Sequence, residues 1–305
     1  MALDLIYHLL APLNRKMNEA LTGEADASPP WLTALADGDD AGYFGPGSAV
    51  WAVHGTKATV VAGLRALLLQ VAHPAIAAGV AQHSAYQRDP LGRLSRTVEW
   101  LTVMTYGSRK QADSASAGIR RRHVPVAGVV TTPDGRQGRY RADDQELMRW
   151  VHDAFTESIL TCHQTWESQH PVDGDAYVGE WATAGRALGL DAPPGSVTEL
   201  HDQIDRARPA LESTQESRAI VDTLRHPPLD SAAARDAYEV LLAGAESTLP
   251  YWACEIHGIR PLQPSLAWPP VEAMVEAMDQ AAGHRSPARR RADERLRRLG
   301  IPADS

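Results

Sequence analysis

The chain has 305 residues, of which 44% are hydrophobic and 22% charged, so it can bury a full core and has the composition of a globular protein. A formal net charge of −8 argues against a nucleic-acid-binding protein with a basic face, and the two cysteines cannot build a disulfide framework or a cysteine-rich metal site. The first 21 residues lack a basic segment ahead of an apolar run, and no stretch approaches about 18 apolar residues, so we expect a cytoplasmic protein without a membrane span.

Helical spacing dominates the first third of the chain, and alternating strand patterns are nearly absent. Ser48 is a good N-cap, and Pro74 suits the first turn of a helix while disfavouring a helical residue at His73. These signals predict helices over residues 1–22, from 48, over 60–71, over 74–87 and over 91–106.

The pattern continues through the rest of the chain with one interruption, a turn at residues 132–135 that indicates a hairpin or loop. Further helices are predicted over 109–122, from a cap at Asp143 or Asp144 to about Trp166, over 176–188, and beyond about 196. We interpret the chain as all-α, with an N-terminal helix and linker (1–37), one large helical domain (38–260) and a C-terminal helical extension (261–305). The arginine-rich tail of this extension is expected to be a solvated helix or a frayed end, with a patch for a membrane or a partner as the alternative.

Histidines are concentrated in the apolar helical part, since seven of the twelve fall between His54 and His170. His152 and His163 share one face of a predicted helix but lie about 16 Å apart, so they cannot ligate one ion. H-E-x-x-H does not occur, and E-x-x-H occurs once, at Glu167–His170, whereas a di-iron bundle uses it on two helices, which weakens a zinc or di-iron interpretation. For any single histidine, a hydrogen-bonded role in the core or at the surface is the alternative to a chemical one.

Two arginines and a threonine, Arg93, Arg96 and Thr97, are spaced to share one helix face. An inward-facing arginine pair needs an anion or two carboxylates, and haem propionates, a bound peroxide or an acidic substrate would each serve. The alternative is a pair of surface salt bridges to Glu99 or Asp89.

His123 follows three arginines and precedes a Val-Pro-Val segment. A neutral imidazole beside an apolar segment suits an axial haem ligand. No C-x-x-C-H motif occurs, which excludes covalent haem attachment but leaves non-covalent haem b open.

Several motifs together resemble those of one large bacterial family, allied to the latex-clearing protein (a rubber oxygenase) and to the mycophenolic-acid-pathway oxygenase. They are YFGPGSAVW (43–51), GLRALLLQVAHPAIAAGVAQHS (63–84), DPLGRLSRT (89–97), the histidine before VPVAG (124–128), YRADDQEL (140–147) and WVH (150–152). The resemblance covers roughly residues 38–260. It implies an all-α fold around a non-covalent haem b pocket, globin-like in its packing style with short loops or a small hairpin, and oxidative chemistry with dioxygen.

The resemblance also implies roles for individual residues. In the latex-clearing protein a histidine downstream of an R-x-x-K-T motif ligates the haem iron, and His123 occupies that position here, 26 residues after Thr97. Arg96 stands where the family has lysine, so the distal arrangement and the substrate are expected to differ. The catalytic glutamate of the rubber enzyme has no clear counterpart; its place falls near His73.

The remaining assignments complete the predicted site. Arg96 and Thr97 would line the distal side and donate hydrogen bonds to bound dioxygen or peroxide, and Arg93 would neutralise a haem propionate or hold the pocket together. His152 matches a second family histidine that would support the pocket, and His73 and His83 are candidates for proton transfer. We therefore expect a haem b-dependent, oxygenase-like oxidoreductase acting on a small or medium hydrophobic metabolite with dioxygen or peroxide, rather than on rubber. A non-catalytic haem-binding or sensing protein and a cofactor-free helical scaffold are the alternatives. Whether the chain forms a homo-oligomer stays open.

Overall fold

A computed structural model describes residues 29–83, 90–131, 134–227, 229, 231–282 and 286–302, with only the backbone given for 90–95 and 279–282. These residues form fourteen α-helices, a 3₁₀ turn and one two-stranded antiparallel sheet, so the predicted all-α single domain is confirmed. The helix predicted over residues 1–22 lies outside the described residues.

The elements are, in chain order, α1 Pro30–Ala34, α2 Ala49–His54, α3 Ala58–Gln70, α4 Pro74–His83, α5 Pro90–Tyr106, α6 Arg109–His123, β1 Ala127–Thr131, β2 Gln137–Arg141, α7 Gln145–Trp166, α8 Gly174–Leu188, α9 Val197–Ala207, the 3₁₀ turn Arg208–Ala210, α10 Gln215–Arg225, α11 Ala232–Ser247, α12 Tyr251–His257, α13 Pro264–Ala282 and α14 Pro287–Arg298.

The helices begin where side chains can satisfy their first amide groups. The Ser48 hydroxyl accepts a hydrogen bond from the Trp51 amide, and the Asp144 carboxylate accepts one from the Glu146 amide, so both predicted caps are confirmed. A turn of two residues joins α5 to α6, where Ser108 and Gln111 form a reciprocal capping box. Such a short connection makes α5 and α6 antiparallel neighbours.

The core is built around the packing of α3 against α7. Arg65 of α3 is fully buried there and donates hydrogen bonds to the Glu157 carboxylate (2.8 Å), the Ser158 hydroxyl (2.8 Å) and the Thr248 carbonyl oxygen (3.0 Å). Since Thr248 ends α11, one guanidinium links three helices. A buried charge with every donor satisfied ties these helices into one packing arrangement.

The hairpin of β1 and β2 confirms the turn predicted at residues 132–135, of which 132 and 133 lie outside the described residues. Its register runs from Ala127 opposite Arg141 to Thr131 opposite Gln137. Tyr140 of β2 packs with Ala75 and Ala78 of α4 and with Leu147 of α7 in a small apolar cluster separate from the main core. The hairpin therefore covers α4 next to the start of α7.

The arginine-rich C-terminal helix is not solvated throughout, in contrast to the sequence-based expectation. Arg295 of α14 is fully buried and donates hydrogen bonds to the carbonyl oxygens of Leu35 (2.8 Å) and Tyr106 (2.7 Å). Arg298 likewise donates to the carbonyl oxygens of Ala36 and Gly38. The C-terminal helix thus holds the loop that follows α1, through contacts between residues more than 180 positions apart.

Among the described residues, no single helix is long and apolar enough to span a membrane. Within these residues, α3 and α4 taken together have sufficient length and apolar character, but their axes are bent by 105° at the break between them.

Candidate functional site

Three of the predicted site residues lie around the hairpin. His123 ends α6 just before β1, His73 precedes α4, and His83 ends α4 and contacts β1. We call this region, consisting of His73, His83, His123 and the two strands, the hairpin end of the bundle.

His123 is half-buried and has no hydrogen bond at either ring nitrogen within the part of the chain that the structure describes. Burial lowers its pKa below the ordinary value of 6.5; the nearby Arg122 guanidinium lowers it further, whereas Asp143 opposes the change. At neutral pH the imidazole is therefore neutral and can offer a lone pair to a ligand. This is the donor chemistry that a haem iron requires, so His123 fits the cofactor implied by the resemblance.

The pairing of the residues just before β1 and just after β2 brings Asp143 towards His123. The Ala142 amide donates to the Val126 carbonyl oxygen (2.9 Å), which extends the β1–β2 ladder by one step beyond Ala127 and Arg141. The Arg141 guanidinium bonds the Asp143 carboxylate (2.9 Å), which lowers the pKa of that carboxyl. Asp143 is thus held as an anion close to the histidine.

His73 has a defined tautomer. Its Nδ1 accepts a hydrogen bond from the Ala75 amide (3.2 Å), so in the neutral ring the proton lies on Nε2. Burial lowers the pKa of His73, and Asp144 partly opposes this effect. His73 can therefore donate a proton or a hydrogen bond through Nε2, and its role in proton transfer stays a prediction.

His83 is exposed and bonded to the hairpin. Its Nε2 donates to the Ala127 carbonyl oxygen (2.9 Å), and its ring meets that of Tyr140 edge-on at 6.4 Å. The neighbouring Gln82 amide donates to the Val129 carbonyl oxygen (2.9 Å). The end of α4 is thus attached to β1 by two side chains, and proton transfer by His83 stays a prediction.

Arg96 and Thr97 lie on α5, where both side chains are exposed, and the side chain of Arg93 lies outside the described residues. Thr97 is about 14 Å and His123 about 21 Å along their helices from the turn that joins α5 to α6. Because the two helices are antiparallel and in contact, these residues lie towards the same end of the pair. This exposed position is the one expected from the surface alternative, and the role of Arg96 at the site stays a prediction.

His152 lies apart from the hairpin end, buried between α7 and α8. A β-carbon on Gly185 would lie 3.1 Å from its Cε1, so the glycine allows this close packing. Burial lowers the pKa of His152 to about 4, with a further lowering by Arg186. Its Nε2 is buried without a hydrogen-bond partner among the described residues, which leaves its predicted supporting role open.

Asp153 was not predicted from the sequence. It is 1% exposed, and its Oδ1 has no hydrogen-bond partner among the described residues. Burial raises its pKa to about 8, and Arg149 only partly opposes this. It lies on α7 beside the buried residues Trp150, Ala154 and Thr156, and nothing in its local sequence singles it out.

His54 has a structural role, because both of its ring nitrogens are hydrogen-bonded in the core. Its Nδ1 lies 2.9 Å from the Thr105 hydroxyl and its Nε2 lies 3.1 Å from the Tyr177 hydroxyl, while the ring packs against Trp181. Within the described ranges there is no group of three or more His, Cys, Asp or Glu that could hold a bare metal ion, whereas a haem iron needs a single protein ligand.

Residues 51–292 match the family described as ER-bound oxygenase mpaB/B'/Rubber oxygenase, catalytic domain. The match includes every predicted site residue and extends beyond residue 260 into α14. No curated protein and no solved structure matches the chain significantly. Because the match spans most of the sequence, the chain belongs to this family of oxygenase catalytic domains.

Proposed function

We propose that this protein is a haem b-dependent oxidoreductase that oxidises a small or medium hydrophobic metabolite with dioxygen or peroxide. Membership of the oxygenase family supports an enzyme that uses a substrate and oxygen. The observation that carries the haem assignment is His123, a neutral imidazole whose two ring nitrogens have no hydrogen-bond partner among the described residues.

In this proposal His123 would hold the haem iron, and bound haem would supply the one-electron and dioxygen chemistry that protein side chains lack. Asp143 lies near enough to affect the pKa of His123 and provides a negative charge on the same side. The hairpin, fastened to α4 through Gln82 and His83, keeps the loop after His123 in place.

Arg96 and Thr97 would bind the oxygen cosubstrate, donating hydrogen bonds as negative charge develops on it. Arg93, one turn earlier on α5, would neutralise a propionate, and His152 would support the pocket wall from α7. His73 would hold a proton on Nε2, the nitrogen that its bond to the Ala75 amide leaves protonated. His83 would be a second proton-transfer group.

The first experiment is the absorption spectrum of the purified protein after hemin titration, with a pyridine haemochrome assay. We expect one b-type haem per chain, and we expect His123→Ala to lose the axial-ligand spectrum while keeping its fold. Added imidazole should restore that spectrum. His201→Ala, which removes an exposed histidine on α9, is the matched control and should bind like the wild type.

The outcomes separate the alternatives. If the purified protein does not bind hemin, the haem assignment is overturned. If the spectrum of His123→Ala is unchanged, the assignment of His123 as the iron ligand is overturned. Stoichiometric haem without turnover of any hydrophobic substrate under dioxygen or peroxide would favour a sensing or storage protein.

A further inference from the structure

Two arginine side chains converge beside His123. Arg122 Nη1 and Arg121 Nη2 lie 3.6 and 3.9 Å from the position that a β-carbon on Gly118 would occupy. The two cations are therefore within about 8 Å of each other, a distance at which like charges repel. Gly118, one turn earlier on α6, leaves the space that both side chains share.

Neither guanidinium has a carboxylate or carbonyl partner in the ranges that the structure describes. The adjacent Arg120 differs, because it donates to the Ala187 carbonyl oxygen at the end of α8. Arg141 across the hairpin also differs, because the Asp143 carboxylate neutralises it. Of these four cations at the hairpin end, Arg121 and Arg122 are the two that remain available to an outside anion.

The segment around Arg121 and Arg122 carries a net positive charge, which also favours an anionic ligand. Residues 101–150, which carry α6, the hairpin and the start of α7, contain nine Lys or Arg and five Asp or Glu. The whole chain contains 30 of the former and 38 of the latter, so a net positive segment stands out in an acidic protein. A local positive potential of this kind attracts an anionic ligand.

We propose that Arg121 and Arg122 form a binding site for a carboxylate, brought either by a haem propionate or by an acidic substrate. Guanidinium groups offer paired donors in the plane of a carboxylate, which makes them better partners for it than an ammonium group. The propionate source rests on the proposed function, because it requires haem on the neighbouring His123. The substrate source does not require haem and would define the metabolite as a hydrophobic acid.

The test compares each acid with its uncharged counterpart on the full chain at fixed low ionic strength. Hemin and hemin dimethyl ester are titrated by absorbance, and octanoate and 1-octanol are titrated by calorimetry into the protein without haem. The variant is Arg121→Gln with Arg122→Gln. The control is Arg206→Gln with Arg297→Gln, which removes two exposed charges from α9 and α14.

We expect the wild type and the control to prefer the acid of one pair by about tenfold or more, and the variant to lose this preference. A preference confined to the hemin pair identifies a propionate site, and one confined to the octanoate pair identifies a substrate site. Equal affinities for acid and neutral forms in the wild type, or a preference that survives in the variant, would overturn the inference. Failure of the wild type to bind either hemin form would overturn the proposed function instead, and the octanoate pair would still decide the role of the arginines.

Discussion

Arg65 at the α3–α7 interface and His123 at the hairpin end differ in whether their side-chain nitrogens have hydrogen-bond partners. At the interface every guanidinium nitrogen of buried Arg65 is bonded, to Glu157, Ser158 and Thr248. At the hairpin end His123 keeps both nitrogens without a partner among the described residues. The contrast teaches that neighbouring helices complete the bonding of Arg65, whereas no described residue occupies the ring nitrogens of His123, where a ligand is proposed.

Breaking the α3–α7 interface should have the largest effect. Arg65→Ala leaves the Glu157 carboxylate and the Thr248 carbonyl oxygen without their partner, so we expect the free energy of unfolding to fall by about 3–5 kcal/mol. Urea denaturation measures this loss. The double variant Arg65→Met with Glu157→Leu removes both charges and should recover a large part of it. A loss below about 1 kcal/mol in the single variant would show that the ion pair does not organise the core.

Asp153 lies on α7 like Glu157, but its buried Oδ1 has no hydrogen-bond partner among the described residues. Replacing it with a neutral residue tests what an unpaired buried carboxyl does to stability. Its pKa of about 8 in the folded protein lies above the ordinary value of 3.8, so the folded state holds a proton that the unfolded state releases. Stability should therefore be full below pH 4 and decline as pH rises towards 8, by about 3 kcal/mol between pH 5 and 7.

Asp153→Asn should remove most of that decline, as measured by urea denaturation at several pH values. The control Asp236→Asn replaces an exposed aspartate on α11 and should leave the pH dependence as it is in the wild type. Identical slopes in the wild type and Asp153→Asn would mean that the carboxyl stays ionised in the folded protein.

His54 allows the opposite pH dependence to be tested. Burial lowers its pKa to about 3, so between pH 6.5 and 3 the unfolded state binds a proton that the folded state does not. Stability should fall by about 2 kcal/mol as pH drops from 6.5 to 5 on account of this residue. His54→Gln should reduce the fall by that amount in thermal or urea unfolding, whereas His201→Gln, at an exposed position, should not. If the free energy of unfolding falls equally in the wild type, His54→Gln and His201→Gln, groups other than His54 cause the loss of stability in acid.

Local signals predicted the helices well because caps and prolines act over a few residues. Ser48, Asp144 and Pro74 mark helix starts in the sequence and in the structure. The burial of Arg295 could not be predicted, since its partners Leu35 and Tyr106 are far away in the sequence and no local pattern reports them.

The candidate site was only partly accessible from sequence for the same reason. The family motifs pointed to His123, but the register that brings Asp143 towards it depends on the pairing of two strands. The side-chain convergence of Arg121 and Arg122 depends on the space over Gly118, whereas the sequence showed only a run of three arginines.

The smallest expected effect concerns the hairpin end itself. A β-carbon on Gly128 would clash with the Gln82 amide oxygen and would lie 2.7 Å from the Tyr140 hydroxyl, so in Gly128→Ala either these two side chains shift or β1 moves away from α4. We expect about 1 kcal/mol of destabilisation, because the Gln82 side chain can move. The hydrogen bonds of Gln82 and His83 to β1 should weaken, which faster exchange of the hairpin amides would report.

Gly138→Ala is the matched control on the other strand, because its β-carbon would meet the Val130 side chain at an ordinary 3.5 Å. If the hairpin positions His123 for a ligand, Gly128→Ala should weaken hemin binding more than Gly138→Ala does, although the core stays intact in both. Equal hemin affinity in the two variants would show that the loop after His123 holds its position without close contact between α4 and β1. The hairpin would then cover the site without organising it.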